Sequence, residues 1–173
     1  MLRQGHTGEH IFIGGDSAGG GLAMSLLMAL KQAEEPLPGG VVLLSPWLDL
    51  ALRGDTLTSH DALDPLVSEA GLRHATQLYA GNHDLCNPLL SPIDGNLCGL
   101  PPLLIHVGDH EVLLSDSQRM AERAAAVGVE VDLQVWPEMW HCFPAWPGLP
   151  EAQAALEMIA RFVQKQRNRL TTG

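Results

Sequence analysis

Hydrophobic positions fall along the chain in short, nearly continuous runs separated by longer stretches of helical period. Glu9–Gly14, with its apolar Ile11-Phe12-Ile13, predicts a strand covered on both faces, as in a parallel sheet. Ala18 to about Glu34 carries Ala, Leu and Met at helical spacing; glycines weaken its start, and Pro36-Leu37-Pro38-Gly39-Gly40 ends it. Val41–Ser45 predicts a second buried strand. The stretch from Pro46 to Pro65 has no period and reads as an irregular excursion. Ser68 then caps a predicted helix from about Glu69 to Tyr79, closed by Gly81-Asn82, and a loop over residues 82–102 follows. Leu103–Gly108 is the third strand, and about Ser115 to Ala126 is a helix stopped by Gly128. Glu130–Trp136 alternates at period two, as expected of a strand with one partly wet face at a sheet edge. A loop through Glu138–Phe143 leads to a last helix from Glu151 to about Arg167, with a tail expected to fray beyond Asn168. Strands alternating with helices imply an α/β architecture: a mostly parallel sheet of about four strands, helices on both faces and right-handed crossovers.

In such sheets ligands bind outside the carboxyl ends of the strands, so the residues that follow each run matter most. After the first run the chain reads Gly14-Gly15-Asp16-Ser17-Ala18-Gly19 and passes directly into the helix. A Gly-x-Ser-x-Gly turn between strand and helix fits a nucleophile elbow: it exposes the serine and sets it at a helix N-terminus, where developing negative charge is favoured. The competing reading of Ser17 is an ordinary helix N-cap, which the strand-turn-helix context disfavours.

A serine needs a base to take its proton and an acid to orient that base. Of eight histidines, His141 follows the fourth strand and is the favoured base. His6, His10, His60, His74 and His83 read as surface or loop residues, His106 as a satisfied core histidine, and His110 as a weaker alternative. For the acid, Glu111 ranks ahead of Asp109, Asp116 and the more distant Asp132. Asp109 has a competing reading as a turn former, and Asp116 as a carboxylate favoured in a first helical turn. The order serine, acid, histidine is that of α/β-hydrolases, and the helix after Ser17 excludes a trypsin-type reading of Gly-Asp-Ser. Asp49, Asp61 and Asp64 read as solvated loop acids rather than a metal site. Arg161, Lys165, Arg167 and Arg169 read as the solvated end of a helix.

Composition narrows the partners. With 173 residues, 46% of them hydrophobic and 17% charged, residues 1–173 fit one globular domain. Ten Lys and Arg against twenty Asp and Glu give a net charge of −10, the wrong sign for a nucleic-acid backbone or an anionic membrane surface. Met1–His6 has no signal-peptide core and no run is long enough to span a membrane, so the expected compartment is the cytoplasm. Cys86, Cys98 and Cys142 form neither a disulfide framework nor a zinc pattern and read as free thiols.

Six segments taken together resemble one family. Gly14-Gly15-Asp16-Ser17-Ala18-Gly19-Gly20, Ser45-Pro46-Trp47-x-Asp49-Leu50, Asp64-Pro65, Leu100-Pro101-Pro102, Val107-Gly108-x-x-Glu111-x-Leu113 and Met139-x-His141-x-Phe143 occur in the order seen in hormone-sensitive-lipase-like esterases of the α/β-hydrolase fold. The resemblance implies a nucleophile at Ser17, an acid at Glu111 (more often Asp in the family), a base at His141 and an oxyanion N–H from Ala18. It implies no cofactor and no metal. It also implies a partial α/β-hydrolase fold, the carboxyl-terminal portion of a domain. By that resemblance the N-terminal strands, the cap and a His-Gly-Gly-Gly loop that supplies further oxyanion donors are expected to be missing.

The expectation is therefore a carboxylesterase-type serine hydrolase, lipase-like, acting on short acyl esters and impaired by truncation. The alternative is an inactive fragment that binds a partner, or a second copy, through an exposed edge at the elbow strand. A peptidase on the same fold ranks third.

Overall fold

The computed structural model describes residue 5 and residues 7–171, apart from the side chains of residues 170 and 171. Residues 1–4 and 6, part of the segment read above for a signal peptide, lie outside the described residues, as do residues 172 and 173. Four strands, β1 (Phe12–Asp16), β2 (Gly40–Leu44), β3 (Leu103–Gly108) and β4 (Val131–Trp136), form one sheet in the order β1-β2-β3-β4. Every pairing is parallel, with Ile13 opposite Val41, Leu43 opposite Ile105, and Ile105 opposite Leu133. All four strands therefore end on the same side of the molecule.

Side-chain alternation along β2 and β3 sorts the core into two layers. Val41, Leu43, Leu103 and Ile105 point to one face, where they pack with Met24 and Leu27 of helix α1 (Ala18–Gln32) and Met120 and Ala124 of α4 (Leu114–Ala126). Val42 and Leu104 point to the other face and meet Phe162 of α5 (Pro150–Thr171). The two remaining helices lie outside these layers: α2 (Thr56–Ser59), a single turn within the excursion after β2, and α3 (Glu69–Ala80), capped by the Ser68 hydroxyl accepting Gly71 N–H at 3.1 Å. Leu57 and Leu72 join Trp47, Leu50, Val112 and Leu113 in a separate cluster over the carboxyl edge of the sheet.

Three expectations change. β1 is not covered on both faces: Gly14 and Asp16 are exposed and Phe12 and Ile13 only half-buried, and among the described residues β1 is an edge strand paired with β2 alone. The last helix runs on to Thr171. The excursion after β2 is not a band of solvated acids, since Asp49 and Asp64 are both buried. Asp64 accepts N–H groups from Leu66, Val67 and Val112. Asp49 is held by the guanidinium groups of Arg53 and Arg119. Burial works against its charge, but those hydrogen bonds and the nearby Arg53 outweigh it and hold the carboxyl below its ordinary pKa. Among the described residues, no cluster of His, Cys, Asp or Glu is arranged to hold a metal ion, and no helix is long and apolar enough to cross a membrane.

Candidate active site

Ser17 joins β1 to α1 with φ 50° and ψ −122°, a conformation a non-glycine residue adopts only at a cost in strain. Its hydroxyl caps no helical N–H, so the N-cap reading finds no support. The backbone holds the turn instead. Ser17 N–H donates to Leu44 O at 2.9 Å, and Ser17 O accepts Trp47 N–H at 2.9 Å. The glycines have a steric reason: a Cβ on Gly15 would lie 2.2 Å from Gly19 O, and one on Gly21 would lie 2.4 Å from Trp47 O. Strand, helix and the Ser45–Trp47 turn thus converge on Ser17 closer than side chains would permit. Ala18 opens α1 and is exposed.

Glu111 follows β3 and is fully buried. Its Oε1 accepts Gly108 N–H at 2.6 Å and the Ser45 hydroxyl at 2.7 Å. Its Oε2 lies 3.2 Å from His141 Nδ1. A carboxylate at Glu111 can only accept, so it favours a ring proton on Nδ1, and in the neutral ring the lone pair then lies on Nε2. Burial of the ring opposes its charge. The hydrogen bonds to Cys142 and Glu111, with the attraction of both groups, outweigh that burial and raise the His141 pKa above 6.5.

The loop bearing His141 is docked on the loop bearing Glu111. Asp109 N–H donates to Trp136 O, His110 N–H to Met139 O, and Glu138 N–H to Asp109 Oδ1 at 2.7 Å. A Cβ on Gly108 would lie 2.0 Å from Met139 O, so this contact requires glycine. On either side of His141, Met139 and Phe143 are buried and pack with Trp136 and with Ala155 of α5.

The structure thus brings Glu111 and His141 together and leaves the other acids apart. Asp109 faces the Glu138 backbone. Asp132 is exposed in β4, opposite Leu104. Asp116 is buried in the first turn of α4, where it accepts Leu48 and Asp49 N–H and pairs with Arg119 at 2.8 Å. Burial pushes its pKa up to about 6. It fastens the excursion to α4. No hydrogen bond joins Ser17 Oγ to His141 among the described residues; the link is Leu44 O, which accepts Ser17 N–H and lies 3.9 Å from Cys142 Sγ.

Two further features were missed. His106 is buried but only half satisfied: Trp136 Nε1–H donates to its Nδ1 at 2.9 Å, while Nε2 has no partner among the described residues. Burial pushes its pKa down to about 4, so it stays neutral. Ser45, which opens the Ser45-Pro46-Trp47 segment, touches Glu111 directly. Its one sequence signal is a serine ending an otherwise apolar strand. Beside the elbow lies a cavity of about 210 Å³ lined by Ala18, Gly21, Leu22, Trp47, Leu50 and Tyr79 among others.

Comparison with known proteins identifies the family. Residues 2–145 match the alpha/beta hydrolase fold family. An acetyl-hydrolase of Streptomyces hygroscopicus is 41% identical over 165 residues, covering 95% of this chain and 55% of the relative. An esterase of Acinetobacter venetianus is 39% identical, covering 94% of this chain and 54% of the relative. The crystal structure of an esterase from the bacterial hormone-sensitive lipase family superposes with a TM-score of 0.93 at 42% identity, covering 95% of this chain and 56% of that one. The chain spans about half the length of the curated relatives it matches. It belongs to the alpha/beta hydrolase fold family and within it stands close to the hormone-sensitive-lipase-like esterases.

Proposed function

We propose that the chain carries the catalytic centre of a carboxylic-ester hydrolase, with Ser17 as nucleophile, His141 as base and Glu111 as the acid that orients it. The observation that carries this reading is the buried Glu111–His141 pair, at 3.2 Å on the same sheet edge as a strained serine. His141 Nε2 takes the Ser17 proton as Oγ bonds to the ester carbonyl carbon. The carbonyl oxygen becomes an oxyanion, toward which Ala18 N–H at the start of α1 donates. Collapse breaks the bond to the alcohol oxygen, which leaves with the proton from His141. Water then repeats the sequence on the acyl-serine and releases the acid. The acetyl-hydrolase and esterase names of the relatives and the small apolar cavity at the elbow support short acyl groups as substrates. The reading uses no metal or organic cofactor.

The test is hydrolysis of p-nitrophenyl acetate and butyrate by the purified chain and by Ser17→Ala. Turnover that disappears in Ser17→Ala supports the reading, and turnover that survives the substitution sinks the assignment of Ser17.

A second reading rests on β1, which among the described residues is an edge strand paired on one side only. An open edge of this kind takes up another strand, from a partner or from a second copy. A folded chain that hydrolyses neither ester but sediments as a concentration-dependent dimer favours this reading over catalysis.

A further inference from the structure

Ser45 follows β2 directly, fully buried, with φ 47°. Glycine would serve there at no steric cost if only the bend were needed. The residue present is strained and polar, and both polar functions of its side chain are used. The hydroxyl donates to Glu111 Oε1 at 2.7 Å and accepts Cys142 N–H at 2.9 Å. Cys142, next to His141, is itself in the left-handed region with φ 54°. One hydroxyl therefore spans the acid loop after β3 and the histidine loop after β4, from the end of the strand between the elbow and β3. Its own N–H continues the ladder by donating to His106 O at 2.8 Å, so the span is anchored in the sheet.

We infer that Ser45 is a positioning residue for the Glu111–His141 pair. By holding Glu111 Oε1 together with Gly108 N–H, it turns Oε2 toward His141 Nδ1. By holding Cys142 N–H, it keeps the imidazole at that distance. The inference rests on the proposed triad, since the pair matters to chemistry only if Ser17 is the nucleophile.

The test uses NMR on the intact chain, with Ser45→Gly, Ser45→Ala and Glu111→Gln. Glycine accepts the backbone angle, so Ser45→Gly removes the hydroxyl without adding strain. The readouts are hydrogen exchange of the Cys142 amide, of the His141 Nδ1 proton and of the core amides of Leu43 and Ile105. Loss of a buried hydrogen bond predicts exchange about tenfold faster at Cys142 and at the His141 ring in both Ser45 variants, with Leu43 and Ile105 unchanged. Unchanged rates at Cys142 and His141 in Ser45→Gly would overturn the inference. So would equal acceleration at Leu43 and Ile105, which marks a general loss of stability. Glu111→Gln separates the two ideas: a His141 ring proton indifferent to it would overturn the pairing, and the proposed triad with it.

Discussion

Replacing Glu111 by Gln changes two atoms' chemistry and almost no volume, and the consequence can be worked through from its three contacts. Gln offers one carbonyl oxygen and one NH₂. If the oxygen stays with Ser45 Oγ–H and Gly108 N–H, the NH₂ faces His141 Nδ1, and two donors meet at 3.2 Å. The imidazole relieves this by moving its proton to Nε2, the nitrogen that must receive the Ser17 proton. The same isosteric change in a serine protease costs roughly 10⁴-fold in kcat for this reason, and a loss of about 10³- to 10⁴-fold is expected here. Stability should respond far less. A charge-assisted bond of about 1.5–3 kcal/mol is lost, but so is the desolvation of a fully buried carboxylate.

The pH dependence gives a second signature. His141 has a folded pKa above its ordinary 6.5. The stabilisation from the charged pair is therefore fully present below about pH 6.5 and is lost as pH rises through the folded value. Activity runs the other way, because the base must be neutral, so kcat/KM should climb on an acid limb lying above pH 6.5. In Glu111→Gln the ring keeps Cys142 beside it but has lost the carboxylate, so its NMR titration should fall below the wild-type value. Activity within tenfold of wild type, or an unmoved His141 titration, would refute this reasoning.

Other substitutions probe the supports. In Gly108→Ala the new Cβ would lie 2.0 Å from Met139 O; urea unfolding should show a loss of about 1–3 kcal/mol, and the His141 ring proton should shift. Asp116→Ala leaves the buried Leu48 and Asp49 N–H groups without their acceptor and removes one partner of Arg119. The expected destabilisation is about 2–5 kcal/mol in the same unfolding assay. Ile105→Ala, at a fully buried central-strand position between α1 and α4, should cost about 2–5 kcal/mol, with His141 titrating as in wild type if the protein is held below its unfolding midpoint.

The strands were legible because parallel strands are apolar on both faces, and Leu103–Gly108 appears in the structure with those same bounds. For β1 the apolar run reads as covered on both faces, which the structure does not show, whereas the resemblance places it at an exposed edge, where it lies among the described residues. The excursion after β2 hid most. Asp49 and Asp116 are neutralised by Arg119, which lies seventy residues beyond Asp49, so local polarity suggested solvent where the fold supplies guanidinium. Choosing between Asp109 and Glu111 depends on which carboxylate turns inward after β3; Asp109 is spent on the Glu138 backbone. His106 looked satisfied because strand position reports burial, not the partner of each ring nitrogen. Ser45 carried no signal beyond being the polar end of an apolar run, since its two partners arrive from separate loops.

The central claim is that Ser17 is an activated nucleophile, and covalent capture tests it without assuming an acyl preference. The folded chain is treated with a fluorophosphonate at neutral pH, followed by intact mass and peptide mapping. The account predicts a single adduct on Ser17, absent in Ser17→Ala and formed at least tenfold more slowly in His141→Ala. An adduct on another residue, or none on a chain shown to be folded, would contradict it.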